Sequence, residues 1–318
     1  LPARARALLA AGRIDTVVFD KTGTLTEDGL VRQVVRVRPG CHAEQALQLA
    51  AAVERASTHP IARAFDDIEA APAHAACVDR GSVSGEVAGL QVVLSTAGSE
   101  DLRQLDVEPS PELTWISLRV DGVLEAVFGL AATRRSDALQ TVQQLQAMGC
   151  HVHLLSGDTP AAANHFAASL GMDAATGGCT PADKLAYLQS LRARGHRVAM
   201  VGDGINDSPT LAAADVGIAL GSGTGLAQSS ADAILMDGRL GGVVDLLRAA
   251  RTVRRRITQN VVWALGYNAA VYPLAALGYL PPWGAAIGMA TSSAWVVANA
   301  IRRVPDRTRP ATHPSAVA

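Results

Sequence analysis

A carboxylate at the end of an apolar run is the first feature of this sequence that could do chemistry. The run DTVVFD ends in Asp20 and passes directly into KTGTLT, which is rich in turn residues and small hydroxyls. Short apolar runs predict buried strands, so this strand would deliver Asp20 to a polar loop. Lys21 follows, and the small residues can face a phosphate. The pattern suits Asp20 as a nucleophile toward a phosphoryl group, whereas a lone Asp at a strand end usually only caps a turn.

A second acidic segment, GDGINDSP, places Asp203 and Asp207 four residues apart. Its glycines let the backbone approach a ligand closely. Carboxylate oxygens beside a phosphate are the ligands that Mg²⁺ prefers. Asn206 can donate a hydrogen bond to a phosphoryl oxygen. The segment therefore predicts a magnesium-assisted phosphoryl-transfer site that includes Asp20.

Two shorter segments could stabilise charge on a transferring group. Ser156 and the amide of Gly157 offer a pair of hydrogen-bond donors, and Lys184, which follows Pro181, offers a point charge. Taken alone, each segment is typical of a turn or a helix start. Their order along the chain after Asp20 makes them candidates for the same site.

The elements around these segments predict how they meet. Three apolar strands run into the polar loops, at Asp15–Asp20, His151–Leu155 and Val198–Val201. Helical segments alternate with them, at Ser136–Met148, Pro160–Leu170 and Pro181–Arg194. This alternation predicts a parallel α/β sheet, in which ligands bind at the carboxyl ends of the strands. We therefore expect Asp20, Ser156 and Asp203 to share one site.

An α+β insert interrupts this pattern. Residues 34–123 contain Ala-rich helical stretches and short strand-like runs. We expect a discontinuous first domain at residues 1–33 and 124–245, with the insert folded as a domain of its own. An inserted domain requires its two ends to lie close together in space.

Most of the excess apolar residues lie toward the C-terminus. Two segments without charged residues, 257–280 and 283–301, are long enough for transmembrane helices. Arginines precede the first and follow the second, so the positive-inside rule predicts a hairpin with both ends in the cytosol. Two buried core helices of a soluble protein are the alternative. The tail at 305–318 contains Pro, Thr and Ser and predicts disorder.

Composition argues against several classes of protein. The 318 residues include 28 basic and 29 acidic side chains, and this net charge of -1 gives no reason to expect nucleic acid as a partner. An apolar share of 49% is ample for a buried core. The four cysteines form no C-x-x-C pair, which argues against a disulfide framework or a thiolate zinc site. The chain begins with Leu1 without a signal sequence, and we interpret it as a piece of a longer protein.

In this order, the motifs DKTGTLT, SGD, PADK and MVGDGINDSPTLAAADVGIALG resemble the C-terminal catalytic half of a P-type ATPase. The resemblance implies an α/β, haloacid-dehalogenase-like (Rossmann-type) phosphorylation domain, an inserted α+β nucleotide-binding domain and a two-helix transmembrane hairpin. It implies ATP and Mg²⁺ as cofactors, with Asp20 phosphorylated by ATP. The Mg²⁺ ligands it implies are Asp20, Thr22, Asp203 and Asp207. The catalytic residues it implies are Asp20, Lys21, Thr22, Ser156, Gly157, Lys184 and Asn206.

Thr22 distinguishes this chain from soluble phosphatases of the same superfamily. Those enzymes usually carry an Asp at this position as a general acid and base. Without a carboxylate at Thr22, hydrolysis of the phosphorylated Asp20 should depend on a group from elsewhere. This favours a pump over a free phosphatase.

The resemblance also implies a nucleotide site in the insert. His59-Pro60 matches the His-Pro dipeptide of heavy-metal pumps, whose imidazole helps to orient adenine, and Gly81 lies where the family has a Gly-x-Gly strand turn. In four places the chain lacks the Glu, Gly-x-Gly, Gly-Asn and Asp that are usual in the family, at Thr58, Arg80–Ser82, Ser95-Thr96 and Ala132. Arg135 and Asp137 fit the last of these motifs.

The hairpin resembles that of Cu⁺ pumps. Tyr267-Asn268 in the first helix and Met289 with Ser292 in the second match the Y-N and M-x-x-S-S signatures. A thioether is a soft ligand suited to Cu⁺, and the last helix lacks the Asp expected of a zinc pump. The implied cargo is Cu⁺ or Ag⁺. Packing of Met289 and close helix contact at the serines explain these residues equally well.

The resemblance further implies partners and a location. The partners are membrane lipid, a copper chaperone, and the N-terminal transmembrane helices and actuator domain of the same pump. The location is a bacterial-type plasma membrane, crossed more than once, with the catalytic domains in the cytoplasm. The stretch LPPWGAAIGMATSSAWVVANAIRR also resembles the subgroup that supplies copper for haem-copper oxidase assembly.

Three alternatives stay open. The cargo could be another soft or transition metal ion, such as Ag⁺, Zn²⁺ or Cd²⁺. The chain could be a soluble phosphatase of the superfamily, with the two apolar segments forming a cap or a dimer surface. It could also be a non-catalytic binding module, as the altered nucleotide motifs suggest.

Overall fold

The computed structural model describes residues 5–57, 61–79, 81–110, 112–203, 207–221 and 231–302. These residues form two six-stranded sheets covered by helices, followed by two long C-terminal helices. The tail predicted to be disordered, 305–318, lies outside the described residues.

Strands and helices alternate from β8 to β11, whereas the residues between β2 and β7 form mainly strands. The strands are β1 (Thr16–Asp20), β2 (Thr26–Val37), β3 (His74–Asp79), β4 (Ser82–Val87), β5 (Leu90–Thr96), β6 (Thr114–Val120), β7 (Val123–Arg134), β8 (His151–Leu155), β9 (Ala174–Thr176), β10 (Val198–Gly202), β11 (Val216–Leu220) and β12 (Ala233–Leu235). The helices are α1 (Ala5–Ala11), α2 (Ala43–Glu54), α3 (Ser99–Gln104), α4 (Ala138–Ala147), α5 (Pro160–Leu170), α6 (Pro181–Ala193), α7 (Ser208–Ala213), α8 (Gly241–Ala276) and α9 (Pro282–Ile301).

The first sheet is parallel, with the strand order β12-β11-β10-β1-β8-β9. Every residue of β1, β10 and β11 is buried, because helices cover both faces of the sheet. One covering layer contains α1, α4, α5 and the start of α8, and the other contains α6 and α7. The predicted parallel α/β sheet is confirmed, and β1 lies near its centre.

The insert forms the second sheet, which is antiparallel in the order β2-β7-β6-β5-β4-β3. Strand β2 leaves the first domain and β7 returns to it, with Thr26 opposite Arg134. The two ends of the insert therefore lie side by side. The predicted boundaries at 34 and 123 are wrong, because both outer strands belong to the insert and the first domain resumes at Arg135. A buried apolar strand such as β7 fits either sheet, so its sequence alone does not assign it.

The core of the insert lies between α2 and its sheet. Small side chains at Ala46 and Ala50 let the helix approach the strands, and Val53 completes the contact. Phe65 and Phe128 meet edge to face with ring centroids 5.3 Å apart. This packing fixes the C-terminal end of α2 beside the sheet.

The two apolar C-terminal segments are helical, but the first differs from its prediction. Helix α8 has 36 residues and packs into the core of the first domain through Val243, Leu247 and Ala250. The predicted span at 257–280 is therefore the second half of a longer helix, which ends at Ala276.

Among the described helices, only α9 is long and apolar enough to cross a membrane, with 20 residues and a mean hydropathy of 1.3. The second half of α8 does not reach the same hydropathy, because it carries polar residues such as Gln259 and Asn268. The crossing of a membrane by the two predicted segments therefore stays a prediction.

Helices α8 and α9 pack against each other as a hairpin. Asn299 is buried and donates from Nδ2 to Asn260 Oδ1 at 2.8 Å, while Trp263 Nε1 donates to Ser292 Oγ at 3.1 Å. Away from this seam the helices expose large apolar side chains, including Val262 at 63%. An exposed apolar surface of this kind is typical of helices that face lipid or further helices.

Candidate functional site

Asp20 lies at the carboxyl end of β1, and its side chain is buried. The neighbouring strands β8 and β10 end at the same edge of the sheet, and Ser156 and Asp203 follow them directly. The negative charge of Asp203 contributes to raising the pKa of Asp20. The structure therefore brings the three predicted strand-end residues to one region.

The turn that follows Asp20 is held by an arginine from the other end of the insert. Gly23 has a φ of +69°, a left-handed conformation that favours glycine. Arg135 donates from Nε to the carbonyl oxygen of Thr24 at 2.8 Å and from Nη2 to that of Gly23 at 3.2 Å. It also donates to the carbonyl oxygen of Gly238 at 3.2 Å. The first residue after the insert thus fixes the position of the turn beside Asp20.

Helix α6 positions Lys184 opposite Asp20. Thr180 caps the helix by accepting from the Asp183 amide at 3.2 Å, and the Asp183 carboxylate accepts from the Thr180 amide at 3.0 Å. Lys184 follows in the first turn. Its Nζ donates to Asp20 Oδ1 at 2.5 Å and to Asp207 Oδ1 at 2.8 Å. One ammonium group therefore bridges two buried carboxylates.

Burial and charge set the protonation of this cluster. Burial raises the pKa of Asp20, the charge of Asp207 raises it further, and Lys184 opposes this only in part, so the pKa is about 7. Burial lowers the pKa of Lys184, but attraction to Asp20 and Asp207 outweighs burial and leaves this pKa above its ordinary value. The site is therefore short of positive charge, a condition that favours binding of a further cation.

The oxygen donors at this site fit Mg²⁺ that arrives with a phosphate. Within the described ranges, no three acidic, imidazole or thiol groups are placed to hold a metal ion by themselves. Mg²⁺ commonly keeps several waters and takes one or two carboxylates together with substrate phosphates. Asp20 and Asp207 supply such carboxylates. Thr22 lies in the adjoining turn with extended backbone (φ -75°, ψ 129°), and Asn206 lies outside the described residues.

Ser156 is buried directly beyond β8. Its Oγ accepts from the amide of Asp158 at 3.1 Å, which leaves the hydroxyl hydrogen to donate elsewhere. A Cβ at Gly157 would meet only the carbonyl oxygen of Cys179, at 3.7 Å, so space alone does not require glycine there.

Lys21 lies at the rim of the site. Its ammonium group forms an ion pair with Asp158 and lies 5.2 Å from the centroid of the Phe166 ring. Because Asp158 follows Ser156 and Gly157, this pair ties the turn after β1 to the loop after β8. Lys21 also lines a cleft between the two domains together with Glu112. The predicted role of Lys21 at the phosphate stays a prediction.

A separate pocket of about 140 Å³ lies in the insert, between the end of α2 and strands β3 to β5. Gly81, with a φ of +88°, lines it together with Ser95 and Thr96. Glu54 borders the pocket with a buried carboxylate, and its Oε2 has no hydrogen-bond partner among the described residues. Burial raises the pKa of Glu54 against the opposing hydrogen bond of Ser57. A buried acceptor without a partner at a pocket wall can receive a donor from a ligand.

The sequence pattern does not identify Glu54 as a pocket residue, because a Glu at the end of an Ala-rich helix is usually exposed to solvent. Its position five residues before His59 is the signal that could have found it. His59 and Pro60 lie outside the described residues, so their role in nucleotide binding stays a prediction.

The four predicted cargo residues do not converge in this pair of helices. Tyr267 packs against a glycine of α9, where a Cβ would lie 2.5 Å from its hydroxyl oxygen. Ser292 accepts the indole hydrogen of Trp263 at 3.1 Å. Asn268 and Met289 are exposed, the latter at 66%. Tyr267 and Ser292 thus lie in the seam between the helices, while Asn268 and Met289 face away from the rest of the described chain.

Comparison with known proteins places the chain in a family. The model of a family of haloacid dehalogenase-like hydrolases matches residues 14–215. The "Cation-transporting P-type ATPase B" of Mycobacterium tuberculosis is 41% identical over 93% of this chain and 42% of its own length. The "Copper-exporting P-type ATPase" of Mycobacterium leprae is 40% identical over 92% of this chain and 39% of its own length.

A solved structure of similar fold is a zinc-transporting PIB-type ATPase in the E2.Pi state. It is 32% identical, has a TM-score of 0.83, and covers 95% of this chain and 52% of its own. The chain spans about two fifths of the length of the curated relatives it matches. The parallel sheet, the site around Asp20 and these matches agree: the chain belongs to the haloacid dehalogenase-like hydrolase family, within which it is similar to cation-transporting P-type ATPases.

Proposed function

We propose that this chain is the catalytic and C-terminal membrane part of an ATP-driven pump that exports Cu⁺ and forms an aspartyl phosphate on Asp20. The observation that carries the proposal is the Lys184 ammonium group held between Asp20 and Asp207 at the carboxyl end of the parallel sheet. A nucleophilic carboxylate with a fixed cation beside it suits transfer of a phosphoryl group.

Asp20 supplies the nucleophile in this proposal. One of its carboxylate oxygens attacks the γ-phosphorus of ATP, an O–P bond forms, and the bond to the β,γ-bridging oxygen breaks as ADP leaves with the electron pair. Lys184 Nζ, 2.5 Å from Asp20 Oδ1, balances negative charge on the transferring group. The Ser156 hydroxyl, the Gly157 amide and the Asn206 side chain donate hydrogen bonds to its oxygens.

Mg²⁺ would be held by Asp20, Thr22, Asp203 and Asp207, where it supplies charge neutralisation for the phosphates. The raised pKa of Asp20, caused by burial and by the charge of Asp207, supports this assignment. A divalent cation beside the two carboxylates would stabilise the ionised Asp20 that the attack requires.

Hydrolysis of the aspartyl phosphate needs a base that the turn after β1 does not supply. Thr22, two residues after Asp20, carries a hydroxyl where a phosphatase would carry a carboxylate. We therefore assign activation of the attacking water to a group outside this chain, such as an actuator domain. The long-lived phosphorylated state suits a pump, which uses it to change conformation.

The nucleotide is assigned to the insert. The pocket of about 140 Å³ is large enough for a base-sized group, and the unpartnered Oε2 of Glu54 can accept a hydrogen bond from an exocyclic amino group. Gly81 lines this pocket, and His59 and Pro60 complete the proposed site. ATP bound there would extend its phosphates toward Asp20.

Copper(I) is the cargo we favour. The similar protein of Mycobacterium leprae is named a copper exporter. Met289 offers a soft thioether, and α9 carries no acidic residue. Tyr267, Asn268 and Ser292 are the further cargo residues, which would meet Met289 through helices that pack on α8 and α9. Zinc is the second candidate, because the solved structure of similar fold is zinc-transporting.

Transport is assigned to a larger assembly in which this chain works with N-terminal transmembrane helices and an actuator domain. The assembly would lie in a bacterial plasma membrane, with α8 and α9 in the lipid and both catalytic domains in the cytoplasm. A copper chaperone would deliver the cargo.

Phosphorylation of the purified chain tests the proposal. With γ-labelled ATP and Mg²⁺ we expect an acid-stable label that hydroxylamine removes, as an acyl phosphate requires. Asp20→Asn should abolish the label, and Asp66→Asn, an exposed aspartate of the insert, should retain it. An unlabelled wild-type chain that binds ATP would contradict the proposal.

A further inference from the structure

A crevice rich in arginine lies where the first domain meets α8. Its volume is about 650 Å³, and Arg13, Arg251, Arg254 and Arg255 line it. Among its described lining residues there is no carboxylate. The crevice therefore concentrates positive charge, and Asp215, the carboxylate that lines the adjoining crevice, is paired with Arg192 and Arg197.

Two of these arginines fix the shape of the crevice, because they join α8 to the backbone of the segment before β1. Arg251 Nη2 donates to the carbonyl oxygen of Ile14 at 3.0 Å, and Arg254 Nη1 donates to that of Gly12 at 3.2 Å. A Cβ at Gly12 would lie 2.9 Å from the carbonyl oxygen of Ala250, so only glycine allows this close approach of the chain to α8. Both guanidinium groups are committed to the protein backbone.

The other two arginines are available to a ligand. Arg13 and Arg255 are exposed, and neither forms an ion pair with a described residue at the distances of a salt bridge. Both line the same crevice. Two guanidinium groups in one crevice suit a phosphate, which accepts several charged hydrogen bonds at once.

The crevice opens onto an apolar surface. Val262 forms part of its rim and is 63% exposed, and Ile257, 45% exposed, lines a second basic crevice that shares Arg13 and Arg254. Arg256, near the middle of α8, donates to the carbonyl oxygen of Arg302, so the C-terminal end of α9 lies beside the part of α8 that lines the crevice. A ligand that fits both surfaces has an anionic head and an apolar tail.

We propose that this crevice binds the phosphate headgroup of an anionic phospholipid, with an acyl chain along α8 past Val262. The apolar rim favours a lipid over a free anion, because a free anion would gain nothing from it. The inference rests on the membrane placement in the proposed function, but not on phosphorylation of Asp20. A bound lipid would hold α8 against the segment that leads into β1.

Lipid binding by the full chain in a non-ionic detergent tests this inference. Native mass spectrometry would compare dioleoyl phosphatidylglycerol with dioleoyl phosphatidylcholine at equal concentrations. We expect the first phosphatidylglycerol to bind on the order of tenfold more tightly, because its net negative charge is attracted to Arg13 and Arg255. Equal binding of the two lipids would overturn the inference.

Variants locate the site. Arg13→Gln combined with Arg255→Gln should reduce phosphatidylglycerol binding to the level of phosphatidylcholine, while Arg13→Lys with Arg255→Lys should retain most of it. Arg103→Gln, an exposed arginine of the insert, is the matched control and should change nothing. Thermal unfolding by circular dichroism checks that each variant folds. Unchanged binding in the folded double Gln variant would overturn the inference.

A competition experiment distinguishes a lipid site from a site for a small anion. Glycerol 3-phosphate should not displace phosphatidylglycerol at a concentration at which the lipid saturates the chain. Full displacement would reveal a small-anion site and overturn the assignment to lipid. Phosphorylation of Asp20 is measured separately on the same preparations, so failure of the lipid site and failure of the proposed catalytic function are told apart.

Discussion

The ammonium nitrogen of Lys184 lies 2.5 Å from Asp20 Oδ1 and 2.8 Å from Asp207 Oδ1, in surroundings where all three side chains are buried. Lys21 and Lys184 are the only lysines in the sequence, and both lie at this end of the parallel sheet. Lys184 bridges the two carboxylates, while Lys21 binds the neighbouring loop through Asp158. The Lys184 bridge places a positive charge beside the carboxylate of Asp20. The Lys21–Asp158 pair holds together the two loops that shape the site.

Replacing Lys184 by Met removes the charge and keeps a long side chain. Two buried carboxylates then lack a counter-charge, so the free energy of unfolding should fall by about 3 kcal/mol. The phosphorylation rate should fall at least ~100-fold, as for loss of a charge that stabilises the transition state. Urea unfolding in EDTA measures the first effect and labelling by ATP the second. Adding Asp207→Asn should restore part of the stability, and a single variant as stable as the wild type would contradict the bridge.

Thr22→Asp places a general acid and base next to Asp20. If the aspartyl phosphate persists because this position lacks a carboxylate, the variant should lose its label at least ~10-fold faster after a chase with unlabelled ATP. Thr22→Asn is the matched control, because its side chain has a similar size and cannot act as a base. Equal decay in the Asp and Asn variants would show that position 22 does not limit hydrolysis.

Glu54→Ala should weaken nucleotide binding without affecting the phosphorylation centre. The buried Oε2 of Glu54 is expected to accept a hydrogen bond from the base, and loss of such a bond should lower ATP affinity about tenfold. Isothermal titration calorimetry with ATP measures this change. Phosphorylation by acetyl phosphate, which needs no adenine site, should be retained. Glu44→Ala, at the exposed start of the same helix, should bind ATP as the wild type does.

Arg135→Gln tests whether the turn after β1 is held from outside. The variant loses hydrogen bonds to the carbonyl oxygens of Thr24, Gly23 and Gly238. We expect phosphorylation at least ~10-fold slower, because a displaced turn misplaces the reacting groups, with ATP affinity unchanged. Arg134→Gln, at the exposed neighbouring position, serves as the control. A fall in ATP affinity with unchanged phosphorylation at saturating ATP would assign Arg135 to the nucleotide instead.

Much of the site around Asp20 could be predicted from the sequence, because parallel strands bring their carboxyl ends to one edge. Apolar runs that end at Asp20, Ser156 and Asp203 therefore predict a shared site. The sequence does not predict which carboxylates Lys184 contacts, because those contacts depend on how α6 is rotated about its axis. The pairing of Lys21 with Asp158 depends on the relative placement of two loops, which no local pattern specifies.

The boundaries of the insert and of the first C-terminal helix were less predictable for a different reason. Strand β7 is apolar and buried whichever sheet it joins, and only its pairing with β2 assigns it to the insert. Helix α8 is continuous from the core of the first domain to Ala276, so no break marks where the predicted span should begin. Hydropathy alone therefore neither assigns β7 to one of the two sheets nor marks where a span begins within α8.

The most direct test of phosphoryl transfer to Asp20 is to locate the phosphate by mass spectrometry. The chain would be phosphorylated with ATP and Mg²⁺, reduced with borohydride to trap an acyl phosphate as homoserine, and digested. We expect homoserine at residue 20 alone, at least ~100-fold less of it in Lys184→Met after the same short labelling time, and none when Mg²⁺ is removed by EDTA. Homoserine at another aspartate, or a stable phosphoserine or phosphothreonine in place of the acyl phosphate, would contradict phosphoryl transfer to Asp20.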